Sequence, residues 1–195
     1  MAILVLLLAS LLIISKPDSV EPQTVDLITQ GRQALDTGRI DDAIGLLSRA
    51  VAADAKNPAA LAWLGSAQVR KGGQVPAMEA AGWVKRGFDA LDEAVERFPD
   101  TFVVYVVRGS TAGRVPAMFN KTELAVKDLS TVVAMKDQRP DAVPDTVMPL
   151  VYLNLGLAQK KAGRTGDARA AWEKGRRLYP AAPETVAIDR ELKGL

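Results

Sequence analysis

Residues 30–58 read QGRQALDTGRIDDAIGLLSRAVAADAKNP, and residues 155–183 read LGLAQKKAGRTGDARAAWEKGRRLYPAAP. The two segments place small and large side chains at the same intervals. The shared positions, in chain order, are Gly31 and Gly156, Gly38 and Gly163, Ala43 and Ala168, Leu47 and Trp172, and Ala50 and Gly175. Small residues let two helices cross closely, and the larger one fills the space between them. Because Gly38 and Gly163 are each placed to end a helix in a left-handed cap, each segment predicts two antiparallel helices.

This pattern resembles the tetratricopeptide repeat, a helix pair of 34 residues with the pattern W-x2-L-G-x2-Y, then A-x3-F, then P. The second segment matches it at Leu155-Gly156, Ala168, Trp172 and Pro180. Gly65 lies 34 residues after Gly31, which is the period of that family. The resemblance implies an all-α, right-handed helical-repeat solenoid of about four helix pairs and a C-terminal capping helix, preceded by an N-terminal hydrophobic helix.

The two middle units are less regular, since Gly65 and Gly109 are 44 residues apart and Gly109 and Gly156 are 47 apart. In the second unit, extra residues are predicted between the helices, at residues 72–83. The connections QVPAM and RVPAM, at residues 74–78 and 114–118, are nearly identical. The resemblance covers roughly residues 24–183. Its predicted packing positions are Gly31, Ala43, Gly65, Ala94, Pro99, Gly109, Ala125, Gly156, Ala168, Trp172 and Pro180.

Composition excludes several classes of chemistry. The chain has no cysteine and no histidine, so disulfides, thiolate nucleophiles, Ser-His dyads and His-ligated metals or haem are not available to it. A net charge of +2 gives no argument for nucleic acid. We therefore predict a protein that is not an enzyme, has no cofactor and binds no nucleic acid.

The N-terminus carries the strongest shift in composition. Residues 2–14, AILVLLLASLLII, contain no charge and one polar residue, Ser10. Counted over residues 1–15, a helix would reach only about 22 Å, short of the roughly 30 Å hydrocarbon core. Three interpretations remain: an uncleaved membrane anchor, a cleaved signal or a core helix. In the first, the lipid contacts are Ile3, Leu4, Leu6, Leu7, Leu8, Leu11, Leu12 and Ile13.

The expected domain organisation is an anchor or signal at 1–15, a linker at 16–24 rich in proline and charge, and a repeat domain at 25–195. Lys16, the only basic flank of the apolar run, would by itself keep the globular part in the cytoplasm. An apolar segment that starts at residue 2 more often exports the remainder of the chain. We expect the globular part on the extracytoplasmic, periplasmic side of the membrane.

The resemblance also implies a binding surface, because the first helix of each tetratricopeptide pair lines the concave face. By position, the predicted partner-binding residues are Ile28, Arg32, Ala62, Ser66, Arg70, Val106, Ser110, Leu153, Leu157 and Lys161. This groove would be apolar with a basic edge, and Gly113 is expected to interrupt the stripe that runs through Ser110. An apolar groove suits a helix or an extended apolar segment of a partner.

Other local signals have simpler explanations. Asp41 and Asp42 stand where carboxylates complement a helix dipole, and Gly72-Gly73 lacks the pattern of a phosphate loop. The basic run at 160–177 is either a solvated face or a site for lipid headgroups or an acidic partner.

Two functions remain. The first is a permanent accessory subunit of a membrane complex, bound to other protein subunits and held to lipid through residues 1–15. The second is an anchored assembly factor, of the kind that presents client chains during cytochrome maturation or envelope assembly. A secreted adaptor is a third possibility if the N-terminus is cleaved.

Overall fold

The computed structural model describes residues 22–195, and over this range all regular secondary structure is helical. The helices are α1 (Pro22–Asp36), α2 (Ile40–Ala53), α3 (Pro58–Gly72), α4 (Ala77–Arg97), α5 (Phe102–Arg114), α6 (Thr122–Gln138), α7 (Met148–Lys161), α8 (Thr165–Leu178) and α9 (Glu184–Lys193). Short 3-10 turns lie at 117–119, 140–142 and 145–147. The predicted anchor at 1–15 lies outside the described residues. Within them, no helix is both long and apolar enough to cross a bilayer.

The helices are arranged as a stack of pairs. α1 packs on α2, α3 on α4, α5 on α6 and α7 on α8, while the final helix, α9, packs on both α7 and α8. The first helices of successive pairs also contact each other, from α1 through α3, α5 and α7 to α9. This is the tetratricopeptide-like solenoid that the repeat spacing predicts, with four helix pairs and a cap.

The ends of the helices follow from local sequence. Gly38 and Gly163 both have φ of +77°, as predicted, and this left-handed conformation is open to glycine at little cost. α3 starts with Pro58 in its first turn, where a missing N–H costs nothing. The side-chain oxygen of Asn57 accepts hydrogen bonds from the amides of Ala59 and Ala60, at 3.1 and 3.2 Å, and caps that helix.

Small residues allow the close crossings within pairs. A Cβ added to Gly65 would lie 2.7 Å from the carbonyl oxygen of Gly87 on α4, so the two backbones are nearly in contact. A Cβ on Gly31 would lie 2.6 Å from Leu47 Cγ. The predicted packing alanines Ala43, Ala94, Ala125 and Ala168 are fully buried, as is Trp172. Pro99 and Pro180, predicted to pack, are exposed, because each lies just beyond a helix end that it helps to terminate.

The structure corrects the predicted boundaries. α1 begins at Pro22, inside the segment assigned to the linker, since proline suits the first turn of a helix. The extra residues of the second unit do not lengthen the connection, which spans only 73–76; they extend α4 to 21 residues. In the third unit they follow α6 as two 3-10 turns. α5 continues through Gly113 to Arg114, so the predicted interruption is absent.

A buried ion network fixes the middle of the stack. The guanidinium of Arg108 donates to both carboxylate oxygens of Asp128 on α6, at 2.7 and 2.8 Å, and to Asp92 on α4 at 2.9 Å. Burial raises the pKa of Asp128, and the hydrogen bonds from Arg108 offset part of that rise. Burial alone would lower the pKa of Arg108, but Asp128 and Asp92 raise it. Breaking such a pair typically costs about 3–5 kcal/mol, so the network holds α4, α5 and α6 in register.

Candidate partner-binding groove

A cavity of about 430 Å³ opens between the second and third helix pairs. It lies among the C-terminal half of α3, the N-terminal half of α4, the end of α5 and the turn at 117–119. Most of its walls are apolar. The lining residues are Ser66, Val69, Arg70, Gly72, Gly73, Ala77, Ala80, Ala81, Val84, Thr111, Arg114, Val115, Pro116, Met118 and Phe119.

The twin connections at 74–78 and 114–118 contribute unequally to this cavity, since only Ala77 of the first lines it, whereas most of the second does. Pro76 and Pro116 have nearly the same backbone geometry, with φ of −55° and −54° and ψ of 150° in both. Each proline is followed by an alanine that starts a helical segment and then by a methionine. Met118 lines the cavity, and the side chains of Met78 and Met118 are 97% and 80% exposed. A solvent-exposed methionine such as Met118 at a cavity wall is an adaptable contact for a partner.

The two hydroxyl groups in the wall satisfy each other. Thr111 Oγ1 donates to Ser66 Oγ at 2.9 Å, and both residues are buried. This bond links α5 to α3 across the boundary between the pairs. With its polar atoms paired, the inner wall presents mainly methyl and methylene groups.

The charged groups of the lining are all cationic. Arg70 and Arg114 are exposed, and the lining contains no carboxylate. Among residues 22–195, neither guanidinium takes part in an ion pair. Lys161 Nζ lies nearby and donates to the carbonyls of Gly113 and Val115, at 3.1 and 2.6 Å. The cavity is therefore apolar inside and positive at its edge.

A smaller hollow of about 310 Å³ adjoins the cavity through Ala81, Val84 and Phe119. Its remaining walls carry both signs of charge, with Lys85 and Lys121 against Asp89 and Asp92. Because those charges are mixed, this hollow has no preference for one sign of ligand.

The structure separates the predicted groove residues into two sets. Ile28, Ala62, Ser66 and Val106 are buried, at 8%, 0%, 6% and 8% exposure. The neighbouring helix pair covers this side of α1, α3 and α5, so these four offer little or no exterior surface to a partner. Of all ten predicted residues, only Ser66 and Arg70 line the cavity.

The other predicted residues lie along the first helices outside the cavity. Arg32 is exposed and stacks its guanidinium 4.8 Å from the ring centroid of Trp63. Ser110 accepts a hydrogen bond from Asn154 at 3.0 Å, which joins α5 to α7. Leu153 is half-buried, whereas Leu157 and Lys161 are exposed.

Sequence reasoning missed the residues that contribute most of the wall, among them Val84, Val115 and Phe119. The available signal was the repeated VPAM, which indicates a duplicated connection but does not by itself indicate a site. Among the described residues, no group of three or more acidic side chains could hold a metal ion.

Comparison with known proteins agrees with this architecture. Residues 28–82 match the tetratricopeptide repeat family profile. No curated protein matches the sequence. Among solved structures, a mutant of MamA is 25% identical with a TM-score of 0.54, covering 87% of this chain and 83% of that one.

Two further structures are similar over most of the chain. MamA MSR-1 is 26% identical with a TM-score of 0.52, covering 80% of this chain and 77% of that one. A thermophilic TPR protein in Thermus thermophilus is 19% identical with a TM-score of 0.52, covering 87% of this chain and 98% of that one, and this last likeness concerns the fold alone. Residues 28–82 therefore match the tetratricopeptide repeat family, and the described chain has the fold of a tetratricopeptide-repeat solenoid.

Proposed function

We propose that this protein is a non-enzymatic scaffold that holds a partner protein at the cavity between its second and third helix pairs. The observation that carries the proposal is an open apolar cavity of about 430 Å³ in a stack built from tetratricopeptide-type pairs. Binding sites are typically concave, mostly apolar clefts of about 300–1,000 Å³. This opening has that size and that character.

The shape of the cavity favours binding through a few deeply inserted side chains rather than through a broad, flat interface. Binding energy at protein interfaces concentrates in a small number of side chains that fill well-packed pockets. Val69, Val84 and Phe119 provide apolar walls for such a side chain. Met118, which lines the cavity and is 80% exposed, can adjust to the residues that flank that side chain.

The proposed cellular setting rests on residues 1–15. We propose that this segment tethers the chain to a membrane and that the scaffold is an accessory subunit of a membrane protein complex, with its globular part on the extracytoplasmic side. Support comes from the uncharged, largely apolar run at 2–14, which is too short to span a bilayer alone and would gain from packing on other subunits.

The alternative is a transient assembly factor anchored in the same way. An open cavity lined by the adaptable, exposed Met118 would suit clients that bind transiently. The two functions differ in stoichiometry: a subunit is recovered at a constant ratio to its partners, whereas an assembly factor is recovered in small and client-dependent amounts.

The test is to isolate the native protein from membranes in mild detergent, with intact mass measurement and quantification of co-purifying proteins. Three forms are compared: wild type, Ala81→Trp and Ala170→Trp. Ala81 is an exposed residue in the cavity lining, so a tryptophan there fills the space. Ala170 is an exposed alanine on α8 and is the matched control.

We expect a partner at constant ratio with wild type and Ala170→Trp and its loss with Ala81→Trp. A mass that retains residues 1–15 would support the tethered subunit. Recovery of a partner only in small amounts would favour the assembly factor. Recovery that is the same for all three forms, or no partner at all, would contradict binding at the cavity.

A further inference from the structure

Resting on the proposed scaffold function, we infer that the cavity receives one large apolar side chain of a partner protein segment, and that an acidic residue beside that side chain pairs with Arg70 and Arg114. The occupant is thus a peptide segment with an apolar anchor and an adjacent carboxylate.

The apolar side chain of the proposed partner segment is inferred from the residues that form the cavity walls. Val69, Val84, Val115 and Phe119 surround the space, and the hydroxyl groups of Ser66 and Thr111 are bonded to each other. Water inside such walls finds few partners, so its replacement by an apolar side chain is favourable in proportion to the area covered. A volume of about 430 Å³ lies at the lower end of the range of ligand-binding pockets, about 300–1,000 Å³, and suits one or two side chains.

The acidic residue of the proposed partner segment is inferred from the positive charge in the cavity lining. Arg70 and Arg114 approach the cavity from α3 and α5, the lining has no carboxylate, and no ion pair holds either guanidinium within residues 22–195. The lining therefore presents two positive charges to an occupant and no negative charge. Arginine bonds a carboxylate with two parallel hydrogen bonds when the geometry allows.

The adjoining hollow differs from the cavity in the charges of its lining, and this difference supports an acidic partner residue at the cavity. There, Lys85 and Lys121 lie with Asp89 and Asp92, and Lys85 already binds Asp89 at 2.7 Å. Of these two cavities, the larger one therefore has the preference for an anionic group. A partner residue that follows the apolar anchor would meet positive charge whichever of the two arginines it approached.

The experiment is a selection from a randomised peptide library displayed on phage, with the full chain as bait, followed by affinity measurements on the selected peptides by fluorescence anisotropy. We expect selected peptides to share a large apolar residue next to Asp or Glu. Ala81→Trp should weaken their binding about tenfold or more, because it occupies the space of one buried side chain. Ala170→Trp should bind as wild type does.

Reversing the charges of Arg70 and Arg114 tests whether they bind an acidic residue of the partner. The double variant Arg70→Glu with Arg114→Glu should lose affinity for the acidic peptides about tenfold or more, and a new selection on it should yield Lys or Arg beside the apolar anchor. The matched control is Arg169→Glu with Arg177→Glu, two exposed residues of α8, which changes net charge equally and should leave the selection acidic. Circular dichroism verifies that all variants are folded.

Several results would overturn the inference. Selected peptides that bind Ala81→Trp as tightly as wild type would place the site elsewhere, yet leave the scaffold function intact. Selection of apolar peptides without acidic residues would remove the role of the arginines. Self-association that Ala81→Trp abolishes would assign the cavity to a second copy, and a lipid retained in native mass spectrometry by wild type alone would assign it to that lipid. Failure of any peptide to bind, together with no co-purified partner, would overturn both proposals.

Discussion

At the scale of single residues, glycines set the distance between paired helices. A Cβ on Gly156 would overlap the indole of Trp172, whose Nε1 donates to the carbonyl of Leu153 at 3.1 Å. We expect Gly156→Ala to lower the free energy of unfolding by about 1–3 kcal/mol, because overpacking displaces a rigid, fully buried ring. Urea denaturation followed by circular dichroism measures this.

The matched control is Gly45→Ala, within α2, where an added Cβ meets nothing within 4 Å. Alanine reduces the entropy lost on folding, so this substitution should raise the free energy of unfolding by about 0.5–1 kcal/mol. If both variants shifted stability in the same direction, close crossing at Gly156 would not be the cause.

At the scale of elements, side chains tie the irregular segment after α6 to the helices around it. Lys136 Nζ donates to the carbonyls of Pro140 and Val143, at 2.7 and 2.8 Å, and lies 3.0 Å from Asp145 Oδ1. Tyr179, which follows α8, donates its hydroxyl to the same carboxylate at 3.1 Å. The 3-10 turns at 140–142 and 145–147 are therefore fixed by two neighbouring helices.

This arrangement predicts a loss of stability at alkaline pH. Burial, reinforced by the hydrogen bond to Asp145, raises the pKa of Tyr179 from 10.0 to about 12. Because the folded state holds this proton more tightly, the stabilisation is fully present below pH 10 and is lost as pH rises from 10 towards 12. Tyr179→Phe should reduce the fall in unfolding free energy over that interval.

The measurement is denaturant unfolding at a series of pH values, with Tyr105→Phe on α5 as the control. An unchanged alkaline dependence in Tyr179→Phe would contradict the prediction.

At acid pH, hydrogen bonds from Lys136 and Tyr179 lower the pKa of Asp145. Its contribution is therefore present above the ordinary pKa of an aspartate and is lost as pH falls through the lowered value.

At the scale of the whole molecule, stability should be graded along the stack, because each pair contacts only its neighbours. One large cluster of buried residues runs from the second pair into the fourth, from Leu61 to Ala171, whereas the first pair has two small clusters and α9 packs in another. We expect amide hydrogen exchange to be slowest in α5 and fastest in α1 and α9. Exchange followed by mass spectrometry resolves the helices.

Leu35→Ala provides the local perturbation, since Leu35 is 1% exposed in the first pair. Such a truncation typically costs about 2–5 kcal/mol. Exchange should accelerate in α1, α2 and α3 and stay unchanged in α7 and α8. Uniform acceleration in every helix would indicate that the described chain unfolds as a single cooperative unit.

Much of the fold was predictable because its determinants are local or recur at fixed spacing. Gly38 and Gly163 end their helices through backbone conformation alone. The interval between Gly31 and Gly65 predicts a repeat, because a small residue must return wherever two helices cross. The length of α4 was not predictable in the same way, since residues 77–83 suit either a loop or an added stretch of helix until they pack against α3.

The sequence by itself determined the helix pairs, their order and the chemistry that is missing from the chain. Only the tertiary structure decided which side of each first helix is open. Ile28, Ala62 and Val106 occupy predicted groove positions and yet are buried. Val84 of α4 lines one cavity together with Val115 and Phe119 of the segment after α5. The physical reason is that exposure of a solenoid residue depends on how the next pair is seated against it. In this chain the cavity between the second and third pairs is bounded by α3, the extended α4, the end of α5 and the residues that follow α5.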